Sequence, residues 1–332
     1  EKTWKHAVSS ARLIHVTPAL LASSIDRLPW ERIGCVVWDE CDTHRDEKKA
    51  QALAIQEAFK RVDYGVMGSG SLMDAKCDPM DIFLYLKICR PKFFPSYWSY
   101  MNTWCNVMMT PYGRRVLGPK NLENFRKYIL QPNIFYLEKQ SDRPRIVRSQ
   151  VPMEMSPTQE RMYWALVDEL MLETSIELIS APNQVSVQGR LRKILISPRL
   201  IDPAAELGPT FDYLEAELEQ DPHIVIFTPF RDAVELFETW LKVKGYDPVK
   251  FYGDQTMSTD DLLARQNYFN RNKSGKTVAI GTIEFSRGFE LYSARQCFFA
   301  GFHYTPGKNY QAHDRLDREN QIMEGREAKF LV

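Results

Sequence analysis

From residue 209 to the end of the chain, short apolar runs alternate with amphipathic segments. The apolar runs predict strands, and their sequences are HIVIFTPF, PVKFYGD, KTVAIGT and QCFFAGF. The segments before and between them predict helices, and their sequences are FDYLEAELEQ, DAVELFETWLKVKG and RQNYFN. Strands joined by helices pair in parallel, so this alternation predicts an α/β fold whose parallel sheet is covered by helices on both faces.

A second α/β pattern lies near the start of the chain. The runs ARLIHVTPALL and IGCVVWDE predict buried strands, with a short helix after Pro18, and QALAIQEAFKRV has the apolar spacing of an amphipathic helix. The run DYGVMGSGS predicts one more strand, which ends at glycines. A chain of 332 residues is longer than one ordinary core requires, so the two patterns predict two domains.

The middle of the chain, from about residue 78 to 208, is rich in Trp, Tyr and Met and contains several prolines. Its clearest element is PTQERMYWALVDELMLE, in which Met162 and Leu166 begin an apolar stripe at helical spacing. This stripe predicts one continuous helix. Prolines and polar residues accumulate at 140–145 and 201–210, which indicates linkers.

Two acidic residues directly follow the strand predicted for IGCVVW. An unpaired buried charge is costly, so Asp39 and Glu40 either end a strand at the surface or lie where open α/β sheets bind their ligands. A nucleotide hydrolase needs one carboxylate for the magnesium ion of its substrate and another to orient or deprotonate the attacking water. Adjacent side chains at a strand end diverge and can divide these tasks. This pattern alone leaves both interpretations open.

Eight segments, in order, resemble motifs of the Swi/Snf-type ATPases of helicase superfamily two, especially the phage-like and annealing-helicase-like members. They are VVWDECD for Walker B, YGVMGSGSLMD for motif III, FFPSYWSYMNTWC with GPKNLENFRKYIL for the helical insertion, VPMEMSPTQERMYWAL and LRKILISPRL for the approach to the second lobe, IVIFTPFRDAVELFETWL for motif IV, IGTIEFSRGFEL for motif V and YQAHDRLDREN for motif VI. The resemblance covers nearly the whole chain. It implies two RecA-like parallel-sheet lobes, the first incomplete, with a helical insertion between them.

The resemblance also implies domain bounds and a function. Residues 1–90 would form the partial first lobe, residues 91–208 the helical insertion and linker, and residues 209–332 the second lobe. The implied activity is that of an ATP-dependent double-stranded DNA translocase or remodelling ATPase, which hydrolyses ATP between the two lobes. ATP and magnesium are the implied cofactors. Double-stranded DNA is the implied partner, RNA and protein partners remain open, and an RNA helicase of the same superfamily fits the aromatic insertion less well.

Catalytic roles follow from the resemblance for Walker B and motif VI. Asp39 would hold magnesium, and Glu40 would orient or activate water. Arg315 and Arg318 lie three residues apart on one helix face and would reach the γ-phosphate as arginine fingers. Gln311 would set the register of this helix against the nucleotide. The alternative for DRLDR is a solvated face with salt bridges.

Motifs IV and V supply candidates for nucleotide and nucleic-acid contacts. Gly288 would let the backbone pass close to a ligand, and Glu290 would border the ATP cleft. Thr282 could donate its hydroxyl to a phosphate of the nucleic acid, and Thr228 and Arg231 could grip its backbone. The alternatives are an ordinary strand-to-helix junction, an N-cap and a surface arginine.

The Walker A loop of this family is not found in the sequence. Only 38 residues precede Asp39, and none of them resembles the loop. The segment KSGKT at 273–277 carries Asn270 where the GxxxxGK[ST] pattern requires its first glycine, and it leads into a strand instead of a helix. We therefore expect the chain to be a piece of a longer protein whose upstream part carries the loop.

Further departures from the family pattern motivate an alternative function. Motif III lacks its Thr-Pro pair, and motif VI carries Asp317, Glu319 and Asn320 where His, Ile or Val, and Gly are usual. The alternative is a catalytically inactive helicase-fold module that binds nucleic acid or scaffolds protein partners. Residues upstream of Glu1 that contain GK[ST] after a strand would count against it.

Composition limits the class and location of the protein. Lys and Arg number 43, as do Asp and Glu, so no net charge draws the whole molecule to nucleic acid, although a local basic groove still could. The six cysteines lack zinc-site spacing and are typical of reduced thiols in the cytoplasm or nucleus. No apolar run approaches the about 20 residues of a membrane span. We therefore expect an intracellular protein without a membrane partner.

Overall fold

The structure is a computed structural model that describes residues 11–41, 46–69, 79–135, 147–168, 170–176, 178–180, 184–252, 258–272, 275–285, 290–316 and 327–331. The chain forms two compact units, Glu1–Lys139 and Gln140–Val332, each with its own hydrophobic core. The predicted division at residues 90 and 208 is a finer one and stays a prediction. Among the described helices, none combines the length and apolar character needed to cross a membrane.

The first unit contains a parallel pair of strands, an antiparallel hairpin and several short helices. Strands β1 (Cys35–Trp38) and β2 (Tyr64–Met67) pair in parallel, and β3 (Cys105–Thr110) and β4 (Gly113–Pro119) form the hairpin. The helices are α1 (Pro18–Ser24), α2 (Ala50–Lys60), α3 (Phe83–Cys89), α4 (Tyr97–Trp104), α5 (Leu122–Phe125) and α6 (Gln131–Asn133), with a π-helical turn at Arg126–Leu130. The segment that was predicted to be a helical insertion therefore also contains a β-hairpin.

The second unit is built on a six-stranded, all-parallel sheet, which confirms the predicted α/β class. In spatial order the strands are β5 (Val147–Val151), β12 (Glu327–Leu331), β11 (Gln296–Ala300), β8 (Val225–Thr228), β10 (Thr277–Thr282) and β9 (Asp247–Phe251). A short antiparallel pair, β6 (Met171–Glu173) and β7 (Leu178–Ser180), lies outside this sheet. The helices are α7 (Pro157–Asp168), α8 (Gln184–Ile196), α9 (Pro209–Gln220), α10 (Arg231–Val243), α11 (Thr259–Arg271) and α12 (Pro306–His313).

The central strands of this sheet are buried on both faces. Alternate residues of β8 enter different cores: Ile226 packs on one side of the sheet, and Val225 and Phe227 pack on the other. All six residues of β10 are buried as well. Helix α10 covers one face with the 3.6-residue spacing that its sequence predicts, since its buried residues are Ala233, Val234, Phe237, Trp240 and Leu241.

The strand order locates the edge at which such sheets bind ligands. The chain runs from β8 outward to β9, returns to β10 beside β8, and then crosses to β11 and β12 on the opposite side of β8. This reversal is a topological switch point. In open α/β sheets, ligands bind outside the carboxyl ends of the strands at this point. Here those strand ends are Thr228 of β8 and Ala300 of β11, with Thr282 of β10 beside Thr228.

One predicted element is wrong, and one predicted helix is shorter than expected. Residues 11–17 form no strand, and Leu13 is exposed. The helix at Thr17 and Pro18 does start as predicted, with the Thr17 hydroxyl accepting from the Leu20 N–H. The helix predicted for PTQERMYWALVDELMLE ends at Asp168, because Leu170 takes a left-handed backbone conformation with φ of 56° and the chain continues into β6.

A substitution at Gly281 can test how closely β10 packs against β9. A Cβ atom at this position would lie 2.7 Å from the Phe251 carbonyl oxygen on β9, a contact that the backbone cannot relieve by a rotamer change. We expect Gly281→Ala to lower the free energy of unfolding of the second unit by about 1–3 kcal/mol. Urea denaturation followed by far-UV circular dichroism measures this change.

Gly189 provides the control for this substitution. It lies within α8, and a Cβ atom added to it would have no other atom within 4 Å, so Gly189→Ala adds a good helix former without a clash. We expect Gly189→Ala to raise stability by about 0.5–1 kcal/mol. Equal effects of the two substitutions would contradict the packing argument.

Candidate functional site

The acidic pair lies at the carboxyl end of a parallel strand, a position that both interpretations allow. Asp39 follows β1 directly and is exposed, while Glu40 is half-buried. The Glu40 N–H donates to Asp39 Oδ1 at 2.9 Å. Glu40 has φ of 48°, a left-handed conformation that is uncommon for a residue with a Cβ atom. The turn therefore directs two adjacent carboxylates differently, immediately after the strand.

Core contacts hold this turn in place. The backbone N–H of Gly68, just beyond β2, donates to the Trp38 carbonyl at 2.9 Å, and the Cys41 N–H donates to the Gly68 carbonyl at 3.0 Å. Cys41 is fully buried, and its carbonyl accepts from the Tyr85 hydroxyl at 3.0 Å. The Tyr85 ring also packs edge-on against Trp38, with ring centroids 5.7 Å apart. Residues on both sides of the acidic pair are thus fixed to the core.

The donor type at this turn fits magnesium. Magnesium prefers oxygen ligands and is usually held by one or two carboxylates together with water and substrate phosphates. Asp39 offers an exposed carboxylate at a strand end, which is this kind of donor. Among the described residues, no group of three or more His, Cys, Asp or Glu side chains is arranged to hold a metal ion by itself.

In the second unit, the structure brings two predicted nucleic-acid contacts together. Thr228 and Thr282 end the neighbouring strands β8 and β10 and face each other in register. Both side chains are buried, with 0% and 7% of their surface exposed. Arg231, at the first position of α10, is exposed to solvent. The roles predicted for these residues stay predictions.

Backbone hydrogen bonds join the predicted motif V and motif VI residues. The Glu290 N–H donates to Gln266 Oε1 at 3.0 Å, and the Glu290 carbonyl accepts from Asn270 Nδ2 at 2.8 Å. The next residue, Leu291, donates its N–H to the Arg315 carbonyl at 2.8 Å. Glu290 and Arg315 therefore lie in one neighbourhood, although 25 positions separate them in the sequence.

The other predicted site residues fall partly outside the described chain. Gln311 is half-buried on α12, and Arg315 is half-buried in the short 3-10 helix Asp314–Leu316 that follows it. Gly288 and Arg318 lie outside the described residues. The predicted spacing of Arg315 and Arg318 on one helix face therefore stays a prediction.

A charged group that sequence analysis did not identify lies at the same edge of the sheet. Glu284 lies two residues beyond the end of β10, in the 3-10 helix Ile283–Phe285, and its Oε1 accepts from Lys308 Nζ on α12 at 2.7 Å. His303 Nε2 lies 3.3 Å from the same oxygen. Position in the sequence could have indicated these residues, because Glu284 lies inside motif V and Lys308 lies three residues before Gln311. Their contact with each other is visible only in the folded structure.

The pKa values of this group follow from its surroundings. The hydrogen bond from Lys308 lowers the pKa of Glu284. Burial lowers the pKa of His303, and the nearby Lys308 charge adds to this effect. His303 Nδ1 accepts the Thr305 N–H at 2.9 Å, so the neutral ring carries its proton on Nε2, which faces Glu284. The loop after β11 is thereby tied to the loop after β10.

A cavity of about 240 Å³ opens beside this edge in the second unit. It is lined mainly by apolar side chains, and Met153, Ile196 and Phe302 are among them. Arg192 on α8 also lines the cavity, with its guanidinium 4.1 Å from the Tyr304 ring centroid and 5.3 Å from that of Phe230. Stacking between two rings fixes a positive charge near the strand ends.

Curated relatives were found by sequence. The chain is 21% identical over 319 residues to SWI/SNF-related matrix-associated actin-dependent regulator of chromatin subfamily A-like protein 1 of Xenopus tropicalis, covering 94% of this chain and 32% of the relative. It is 20% identical over 315 residues to DNA annealing helicase and endonuclease ZRANB3 of Mus musculus, covering 90% of this chain and 28% of the relative. The chain thus spans about a third of each relative. These matches confirm the resemblance to Swi/Snf-related helicase-like proteins.

Solved structures and family models were also compared. The Sulfolobus solfataricus SWI2/SNF2 ATPase core domain covers 100% of this chain at 18% identity and a TM-score of 0.44, with 72% of that structure covered. The same core in complex with dsDNA covers 95% of this chain at 19% identity and a TM-score of 0.43, with 67% of that structure covered. No protein-family model matches the chain.

The left-handed turn at Glu40 makes a prediction about stability. A residue with a Cβ atom in this conformation costs about 1 kcal/mol, which glycine does not incur. We expect Glu40→Gly to raise the free energy of unfolding by about this amount in urea denaturation followed by tryptophan fluorescence. Glu40→Gln keeps the Cβ atom and serves as the matched control, with little change expected. A loss of stability in Glu40→Gly would contradict the strain assigned to this turn.

His303 makes a prediction about pH. Its folded-state pKa lies below the ordinary value of 6.5, so the unfolded chain binds the proton first as the pH falls. Stability is therefore full above pH 6.5 and decreases as the pH falls through 6.5 toward the folded pKa. We expect His303→Gln to flatten the slope of unfolding free energy between pH 7 and 5.5. Glu284 acts at lower pH, below its ordinary value of 4.5, so an unchanged slope would contradict the role of His303.

Proposed function

We propose that this chain, whose curated relatives are SWI/SNF-related helicase-like proteins, is the motor part of an ATP-dependent double-stranded DNA translocase or remodelling ATPase. One observation carries the proposal. The motif residues of each unit gather at the carboxyl ends of parallel strands, with Asp39 after β1 and Thr282 at the end of β10. This is the edge at which open parallel sheets bind ligands.

The proposed roles in hydrolysis use the side chains at these edges. Asp39 would hold magnesium, and Glu40, aimed elsewhere by the left-handed turn, would orient or deprotonate the attacking water. When bound, magnesium neutralises phosphate charge as the leaving group departs. Arg315 and Arg318 would stabilise the charge on the phosphates of the substrate, and Gln311 would position their segment.

The remaining site residues would border the nucleotide or bind DNA. Gly288 and Glu290 would line the nucleotide side of the second unit, where Glu290 is held by its bonds to α11. The exposed Arg231 would bind the DNA backbone, which carries regularly spaced phosphates. Thr228 and Thr282 are buried, so their predicted role in DNA binding would be to hold the strand ends beside Arg231. Contacts to the DNA backbone do not depend on the base sequence. A translocase that moves along DNA of any sequence requires contacts of this kind.

A catalytically inactive helicase-fold module is the second candidate. The sequence of motif VI favours it, since Asp317 and Glu319 place negative charge next to the arginines that would approach a phosphate. Acidic neighbours reduce the positive potential that such arginines supply. A measurement of ATP hydrolysis distinguishes the active translocase from the inactive module.

The test is DNA-stimulated ATP hydrolysis by the protein with its native flanking sequence. We expect duplex DNA to stimulate hydrolysis, and Glu40→Gln to reduce the stimulated rate by at least about 100-fold, the usual contribution of a general base. The control is Glu31→Gln, which changes an exposed glutamate of the same unit and should leave the rate unchanged. Equal rates for wild type and Glu40→Gln would contradict the proposal. A wild-type protein without hydrolysis would support the inactive module.

A further inference from the structure

The hairpin β3–β4 of the first unit projects from a firmly anchored base. Val107 and Val116 face each other across the hairpin and pack against the hydrophobic core. Beyond this pair the strands leave the core, and the next cross-strand pairs are Met108 with Arg115 and Met109 with Arg114. Both arginines are exposed, and so are both methionines. The outer half of the hairpin therefore presents its side chains to solvent.

Hydrogen bonds define the tip of the hairpin. The Thr110 hydroxyl donates to the Gly113 carbonyl at 2.7 Å and accepts from the Tyr112 N–H at 3.3 Å. Gly113 has φ of 112°, a conformation that residues with a Cβ atom rarely adopt. Tyr112 is fully exposed, at 101% of its reference surface. A fixed turn thus holds a large aromatic ring in solvent at the end of a projection.

Positive charge is concentrated around this hairpin. Residues 91–135 contain six basic residues and one acidic residue, Glu123, whereas the whole chain has equal numbers of both. The Arg114 guanidinium lies over the Trp98 ring, 5.3 Å from its centroid, which orders the arginine without neutralising it. Within the part of the chain that the structure describes, neither Arg114 nor Arg115 is paired with a carboxylate.

We propose that the β3–β4 hairpin is a nucleic-acid contact in which Arg114 and Arg115 bind backbone phosphates and Tyr112 stacks on an unpaired base. Arginine suits phosphate because its planar donors match the phosphate oxygens, and a tyrosine ring offers any base a flat surface. The inference rests on the proposed function, which supplies DNA as the partner. An acidic protein surface would satisfy the arginines, but a single strand presents successive flat bases to Tyr112 beside its phosphates.

The experiment measures binding of the full chain to two labelled DNAs by fluorescence anisotropy without nucleotide, over a range of NaCl concentrations. One DNA is a blunt duplex, and the other is the same duplex with a single-stranded tail. We expect Arg114→Gln/Arg115→Gln to raise Kd about tenfold on both DNAs. Because each phosphate contact contributes about 0.9 to the slope of log Kd against log salt, the slope should fall by about 2.

Tyr112→Ala tests the stacking part of the proposal. We expect it to raise Kd about tenfold on the tailed DNA and less than about twofold on the blunt duplex, since only the tail offers unpaired bases. Equal effects on the two DNAs, or no effect on either, would overturn the stacking role. Arg115→Gln alone, which leaves the Arg114–Trp98 contact intact, should reduce the salt slope by about 1.

The matched control is Arg27→Gln/Arg32→Gln, which removes the same charge from two exposed arginines elsewhere in the first unit. We expect its Kd and salt slope to stay close to those of the wild type. If it weakens binding as much as the hairpin double substitution, or if poly-glutamate at equal charge displaces the protein as well as DNA does, the hairpin contact is overturned. Failure of the proposed function would appear instead as wild-type protein that binds DNA without DNA-stimulated ATP hydrolysis.

Discussion

The central strands of the six-stranded sheet are buried on both faces, and the residues proposed to act in the second unit lie where these strands end. A polar side chain in the middle of β8 or β10 would enter one of two apolar cores and lose its hydrogen bonds to water. The penalty is smaller beyond the carboxyl ends, where the strands open into loops and Glu284 is exposed. Thr228, Thr282, Glu284 and His303 all stand at or just beyond such ends.

The first unit meets the same constraint with fewer strands. Its parallel pair ends at Asp39 on β1 and at Gly68 beyond β2, and hydrogen bonds between these ends make a single edge. Glu40 takes a left-handed conformation that its side chain disfavours. Such strain persists only where neighbouring structure determines it, and here the buried Cys41 and the Tyr85 hydroxyl hold the chain beyond the turn. Backbone strain of this kind clusters at active sites and ligand-binding turns, which agrees with the roles proposed for Asp39 and Glu40.

The central strands of the sheet could be predicted from the sequence. Strands β5 and β12 and the contacts of the Glu284–Lys308–His303 group could not. The central strands were predictable because they contain the continuous apolar runs IVIF and VAI. Strands β5 and β12 were missed because VRSQV and EAKFL contain several polar residues and lack the continuous apolar run of the central strands. The turn at Leu170 was missed because its left-handed conformation breaks an unbroken helical pattern. Placement of Asp39, Thr228 and Thr282 at strand ends was predicted. The Glu284–Lys308–His303 group was not, because contacts over 19 to 24 positions depend on which strands are neighbours.

Overall charge is a poor guide to what this chain binds. In physiological salt, charges act over about 8 Å, so a polyanion responds to the groups near it and not to the sum over the molecule. Many acidic residues here are matched locally: Glu235 and Glu238 both lie within salt-bridge distance of Lys250, and Glu217 of Lys329. Pairs of this kind contribute to the total but leave little field outside the protein. In residues 91–135, around the β3–β4 hairpin, the six basic residues outnumber the single acidic residue by five. A chain of zero net charge can therefore present a strongly positive projection, and the distribution of charge, more than its balance, determines whether a phosphate backbone is attracted.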